Sequence, residues 1–288
     1  MTATKPKLEL VSAKEPITCY ACSGLGYYQA KTNGELQLCE CVNDLCKSCN
    51  NNEYDKKRRY IYNDSTAKLE NCKCMPFSLK FNQIKKLYDK SNIPARYKLA
   101  SLEMNMDHDL YQNGGTCTLH ANTMEVREFL EAKELSHRGF YFQGTTGSGK
   151  THIACAILNE LILKRGLEGR YCKVSKDFLE AIKETFTKEK YWNEESTSKS
   201  IEDEFQKVPV LVLDDFGVQK DSPWVLEKLY DLIDTRYEAR RLTIITSNKP
   251  MESWRGVFEN RIYSRLKEMT EEKSFMAADY RELFGGAA

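Results

Sequence analysis

The chain has 288 residues, 41% of them hydrophobic, and a formal net charge of +1 from 43 Lys+Arg against 42 Asp+Glu. That length fits one large or two modest domains with enough apolar content for a buried core, and the charge balance excludes wholesale electrostatic binding to nucleic acid or membrane while leaving room for a local basic patch. No apolar stretch approaches the length of a membrane span, and the opening MTATKPKLELVSAKEP lacks the apolar centre of a secretion signal, so a cytoplasmic location is expected.

Eight of the eleven cysteines lie between Cys19 and Cys74, as four close pairs: Cys19/Cys22, Cys39/Cys41, Cys46/Cys49 and Cys72/Cys74. In a chain with no export signal such pairs indicate metal ligands rather than disulfides. Each set of four thiolates is enough for one tetrahedral zinc. Two sequential zinc ribbons are the favoured arrangement, and a crossed pairing of alternate pairs uses the same ligands. An iron–sulfur cluster also takes four thiolates, although short paired spacings on both sides of a loop suit zinc better. The glycines of Ser23-Gly24-Leu25-Gly26 let backbone amides approach the sulfurs, and Asn50-Asn51-Asn52 occupies the corresponding place in the second set. With all four ligands from protein, each site is structural, and metal would supply most of the folding energy of so small a module. The run Lys56-Lys57-Arg58-Arg59 with Tyr54, Tyr60 and Tyr62 suits nucleic acid and equally a solvated hairpin tip. The other cysteines are scattered, and Cys155 and Cys172 fall in apolar patterns that read as core.

Past Lys90 the pattern turns to alternating strands and helices, which means a parallel sheet. The domains expected are therefore 1–90 and 91–288. Phe140-Tyr141-Phe142 reads as a strand, and it runs into Gly144-Thr145-Thr146-Gly147-Ser148-Gly149-Lys150-Thr151, a complete phosphate-binding loop followed by an apolar helix to about Lys164. The loop amides and helix N-terminus would hold phosphates, Lys150 would reach the β- and γ-phosphates, and Thr151 would ligate Mg2+. Arg170–Val174 is the next strand, and Lys176–Phe186 reads as a helix. The strand Val208–Leu213 ends in Asp214-Asp215. Asp214 would hold Mg2+ and Asp215 would activate the attacking water, against the plainer reading of an acidic helix cap. The strand Leu242–Ser247 ends at Asn248, whose amide can reach a γ-phosphate or water. Arg261 and Arg265 share a helical face at i, i+4, and Asp279-Tyr280-Arg281 lies near the end. On spacing alone these arginines also fit surface salt bridges.

Together these motifs resemble the helicase-loader branch of the AAA+ ATPases, the bacterial DnaC and DnaI group, with the transposition helper IstB as a close relative. The resemblance rests on Ile93-Pro94-Ala95-Arg96-Tyr97, Gly144–Thr151 with His152, Val212–Gly217, Arg236-Tyr237, Thr246-Ser247-Asn248, Ser264-Arg265-Leu266 and Asp279-Tyr280-Arg281. It spans about residues 93–288. It implies an AAA+ P-loop domain behind a small zinc-binding domain, with Asn248 as sensor 1, Arg265 as an arginine finger acting in a neighbouring subunit with Arg261 beside it, and Arg281 as sensor 2. It also implies self-association, binding of single-stranded DNA, and a front domain that docks on the replicative helicase. Lys183, Lys188, Lys190, Tyr191 and Trp192 lie where this branch carries an extra helical element, and they suit DNA contact as well as a charged loop. Two features depart from the AAA+ pattern. Asp215 stands where Glu is usual, which points to slow, switch-like turnover, and only a few residues follow Arg281, short of the helical lid of many relatives.

Three functions are carried forward. The leading one is an ATP-dependent replicative helicase loader that holds the helicase and single-stranded DNA at initiation, with ATP, Mg2+ and two Zn2+ as cofactors. The second is an IstB-like ATPase regulating a transposase. The third is a zinc-dependent nucleic-acid-binding adaptor with a slow ATP switch.

Overall fold

The computed structural model describes residues 19–44, 60–102, 118–183, 198–217, 222–257 and 259–275. By contacts the chain divides into two compact units, 1–86 and 87–288. The division falls inside a helix, a little before the composition change at Lys90.

The first unit is built of short pieces. Strand β1 (Tyr27–Gln29) pairs antiparallel with β2 (Leu36–Leu38), and a one-turn helix α1 (Glu40–Asp44) follows. Strand β3 (Tyr60–Asn63) pairs antiparallel with β4 (Lys68–Asn71). Asn63 makes the connecting turn, its Oδ1 accepting from the amides of Ser65 at 3.0 Å and Thr66 at 3.3 Å. Helix α2 (Met75–Lys90) then carries the chain into the second unit. The buried cluster here is small, centred on Val42, Cys72, Cys74 and Phe77. Two-stranded ribbons with so little apolar burial are marginal without a staple.

The second unit is organised by a five-stranded, wholly parallel sheet. Its strands are β5 (Gly139–Gly144), β6 (Gly169–Lys173), β7 (Val210–Asp214), β8 (Leu242–Ser247) and β9 (Thr270–Phe275), in the order β6-β7-β8-β5-β9. Both faces are covered, so strands such as Val210-Leu211-Val212-Leu213 are apolar throughout and fully buried. On one face Tyr141, Cys172, Leu211, Leu213 and Ile245 pack against α6 (Pro223–Glu238) and α7 (Arg261–Met269). By strand alternation Tyr171, Val212, Asp214, Ile244 and Thr246 belong to the opposite face. Helix α4 (Lys150–Leu163) follows the phosphate loop and is buried nearly all round, from Ile153 to Ile162. Helices α3 (Thr118–Glu131) and α5 (Ser198–Lys207) complete the unit. Cys155 and Cys172 are buried core residues, as their patterns suggest.

Three details go beyond the sequence reading. The strand β9 escapes it, because Glu271, Glu272 and Lys273 mask a segment that pairs with β5 along its whole length. The segment expected to open as an ordinary helix at Lys176 begins as π-helical turns over Val174–Glu180. Arg236, in the family motif with Tyr237, is a fully buried knot. Its Nη1 donates to the carbonyls of Phe205 at 2.9 Å and Val208 at 2.7 Å, its Nη2 to Leu242 O at 2.7 Å, and its Nε to Thr243 Oγ1 at 2.9 Å. It ties α6 to β8 and to the α5–β7 turn, and burial lowers its pKa to about 9. Among the described residues no helix is long and apolar enough to cross a membrane.

Candidate nucleotide site and thiolate cluster

The phosphate loop joins the carboxyl end of β5 to α4, at the sheet edge where ligands of parallel α/β folds bind. Gly144, Gly147 and Gly149 have φ of 152°, 76° and 90°, conformations that L side chains rarely adopt. A Cβ on Gly144 would lie 2.2 Å from the Phe275 carbonyl of β9, so no side chain fits there. Gly149 caps α4 without a side-chain hydrogen bond, and the first helical amides keep their anion-binding character. Lys150 is buried, its Nζ donating to the loop carbonyls of Gly144 at 3.0 Å and Thr145 at 2.6 Å and to Ser148 Oγ at 3.3 Å. Thr145 and Thr146 stand exposed at the loop crown.

Asp214, 4% exposed, is the hub of the site. Its Oδ1 accepts from Thr151 Oγ1 at 2.7 Å and Thr246 Oγ1 at 2.6 Å, and its Oδ2 from Tyr171 OH at 2.6 Å. The threonine and aspartate expected to share Mg2+ are therefore in direct contact across α4 and β7. An all-oxygen hydroxyl and carboxylate pair suits that ion. Asp215 begins the turn after β7 with φ of 59°. Its amide donates to Thr246 Oγ1 at 3.1 Å, so one hydroxyl bridges both acids. Its carboxylate is paired with Lys173 Nζ at 2.9 Å, a contact that raises the Lys173 pKa. Phe216 is fully buried against Trp254, with centroids 4.6 Å apart, which anchors the acidic turn. Asn248 is exposed at the end of β8, and behind it Tyr141 OH donates to Lys249 O at 3.0 Å.

Three of these residues, Tyr171, Lys173 and Thr246, had no assigned role in the sequence reading. The sequence shows only that Tyr171 and Lys173 are two apart on a strand, hence on one face; that β6 pairs with the acidic strand, with Lys173 opposite Asp214, is visible only in the structure.

The arginines behave differently from one another. Arg265 pairs its Nε with Asp234 Oδ1 and lies 5.0 Å over the Tyr230 ring and 5.6 Å over Tyr237. Arg261, one turn earlier, is exposed and meets Glu259 at 3.3 Å. Arg281 lies outside the described residues, as do Lys188, Lys190, Tyr191, Trp192, Tyr54 and the Lys56–Arg59 run. Lys183 is described, with its Nζ 5.5 Å over the Trp224 ring.

In the first unit Cys19, Cys22, Cys39 and Cys41 converge, all four sulfurs lying within 4.8 Å of one another. Cys19 and Cys39 Sγ are 3.7 Å apart and Cys22 and Cys41 Sγ 3.6 Å apart. A zinc tetrahedron with bonds of about 2.3 Å has sulfur edges of about 3.8 Å, so the set has the right size. The Gly26 amide donates to Cys22 Sγ at 3.3 Å, the contact expected from the glycine knuckle. The Cys22 amide lowers the Cys19 thiol to about 7, while burial raises Cys39 and Cys41. Crowded thiolates of this kind call for a cation. Cys72 and Cys74 are buried, while Cys46 and Cys49 lie outside the described residues.

A parallel sheet in which β8 separates the loop strand from the acidic strand defines an α/β P-loop ATPase domain of the AAA+ type. Its match to a crystal structure of the DnaC helicase loader has a TM-score of 0.50 at 24% identity, covering 63% of this chain and 99% of that one, and it concerns the fold. The chain belongs to the IstB-like ATP binding protein family, whose model matches residues 79–266. It is 29% identical over 143 residues to the replicative helicase loader DnaC of Escherichia coli K12, covering 50% of this chain and 56% of that protein. It is 28% identical over 166 residues to a protein of insertion sequence IS232 from Bacillus thuringiensis subsp. berliner, covering 56% of this chain and 62% of that protein. The chain thus spans little more than half the length of these relatives.

Proposed function

We propose that this protein is an ATP-dependent loader of a replicative helicase. The observation that carries the reading is the direct Thr151–Asp214 contact at the mouth of the phosphate loop, in a chain of this family that also bears a thiolate cluster ahead of its ATPase domain. Residues 1–90 would form a zinc-binding docking domain and residues 91–288 the ATPase.

In the nucleotide site the loop amides and Lys150 bind the phosphates, with Lys150 exchanging its contacts to the loop carbonyls for phosphate oxygens. Thr151 and Asp214 would hold Mg2+, and the bound ion would supply positive charge to offset charge developing on the phosphates. Asp215 takes the proton of the attacking water, and Asn248 orients that water. Asp215 carries a salt bridge to Lys173 that must open before the carboxylate can turn to a water, which supports slow turnover in the isolated subunit. Arg265 would act on ATP held by a neighbouring subunit, and its pair with Asp234 must open first. Assembly would in this way be coupled to hydrolysis, with Arg281 contributing from the C-terminal segment. Cys19, Cys22, Cys39 and Cys41 form one zinc site, and Cys46, Cys49, Cys72 and Cys74 a second. Single-stranded DNA is the second partner, and the protein works in the cytoplasm.

A pull-down with the cognate replicative helicase tests the reading, using the full chain and a version lacking residues 1–90. Capture by the full chain and loss with the deletion are expected. Capture unaffected by the deletion removes the docking role. The family match to IstB favours a second reading, an ATPase that regulates a transposase. Capture of a transposase and not of a helicase would select it.

A further inference from the structure

We infer that Tyr171 is a positioning residue for the magnesium-binding carboxylate. The inference rests on the nucleotide-site reading above. Tyr171 is 5% exposed, on β6, and its hydroxyl donates to Asp214 Oδ2 at 2.6 Å. The two oxygens of Asp214 are unequally occupied. Oδ1 receives two hydroxyls, Thr151 and Thr246, which fill its two acceptor positions. Oδ2 receives Tyr171 and keeps one lone pair, so it is the oxygen free to meet a cation or a cation's waters. Three hydroxyls from three elements, α4, β8 and β6, thus fix the carboxylate in one rotation.

Each hydroxyl has a separate task. Thr151 would also hold Mg2+, and Thr246 also accepts the Asp215 amide. Tyr171 has neither duty: its hydroxyl reaches Asp214 across the β6–β7 pair, where Tyr171 lies opposite Val212. A phenylalanine would fill the same apolar space. The hydroxyl is what this position adds, and it is directed at the oxygen that serves magnesium. Without it Oδ2 has no donor and the carboxylate is held through Oδ1 alone, so its terminal torsion, which is broad for Asp, is less tightly fixed.

The test uses the full chain and a fluorescent ATP analogue, with binding titrated against Mg2+. Tyr171→Phe should raise the Mg2+ concentration for half-maximal analogue binding severalfold, because part of the binding free energy is then spent on fixing Oδ2. Analogue binding in EDTA should stay within twofold of the parent. Tyr171→Met, a second variant without the hydroxyl, should follow Tyr171→Phe. A purely structural Tyr171 would lower the melting temperature of both variants and leave the Mg2+ midpoint in place. A midpoint within twofold of the parent in Tyr171→Phe, with a clear shift in Asp214→Asn, overturns the inference alone. No shift in Asp214→Asn overturns the magnesium role of Asp214, and the inference falls with it.

Discussion

Thr246→Val offers a sharp test of how the acidic pair is built. Thr246 is 1% exposed, and its hydroxyl both donates to Asp214 Oδ1 at 2.6 Å and accepts from the Asp215 amide at 3.1 Å. Valine keeps nearly the same volume, so the cavity contribution is small. The first bond goes to a charged acceptor, and such bonds contribute about 1.5–3 kcal/mol. The second loss leaves a partly buried amide without its partner, at about 1–3 kcal/mol. The two are not fully additive because they share one hydroxyl, so a destabilisation of about 3 kcal/mol is expected. In a domain of 150–250 residues that is a drop of about 6–12 °C in melting temperature. Thermal melts followed by circular dichroism give the value, with Thr246→Ser, which keeps the hydroxyl, as the control. A Thr246→Val melt within 1 °C of the parent would refute the bridging role. A Thr246→Ser loss as large as that of Thr246→Val would assign the effect to packing instead.

Arg236→Met should destabilise by about 3–5 kcal/mol in urea unfolding, because the carbonyls of Phe205, Val208 and Leu242 lose a charged donor in the core. A loss below 1 kcal/mol would show that those carbonyls find other partners. Gly144→Ala should cost more than about 2 kcal/mol and weaken nucleotide binding, since its Cβ meets the Phe275 backbone at 2.2 Å; unchanged binding by isothermal titration would contradict the loop geometry. Chelator colorimetry on protein prepared in metal-limited buffer should release two zinc ions per chain, and Cys19→Ser with Cys39→Ser should remove one. Release of none would end the zinc assignment.

The parts of this molecule that the sequence makes legible are those whose chemistry is local. Gly144–Thr151 is one turn of backbone, and its glycines, lysine and threonine can be read in a line. The pairs Cys19/Cys22 and Cys39/Cys41 are legible for the same reason: short spacing brings the sulfurs together whatever the loop between them does. Asp214 stood out as a candidate because a buried apolar strand ends on it. What stayed hidden depends on which strands are neighbours. Tyr171, Lys173 and Thr246 reach the acids only because β6 and β8 flank β7 in parallel register, and nothing in their own segments announces that pairing. Arg265 was open to a salt-bridge reading on spacing alone, and Arg236 had no environment assigned beyond its family motif, because arginine is mostly exposed. Arg265 does form a part-exposed salt bridge, with Asp234 and beside two tyrosines, and Arg236 is a core knot. The strand β9 was obscured by three charged residues that an edge position tolerates.

The central claim is that Gly144–Thr151 binds ATP for hydrolysis governed by assembly. ATP turnover measured over a wide range of protein concentration, with and without single-stranded DNA, tests it most directly. The rate per subunit should be low when dilute, rise with concentration and with DNA, and vanish in Lys150→Ala. Equal, near-zero rates in every condition, with Lys150→Ala indistinguishable from the parent, would contradict it.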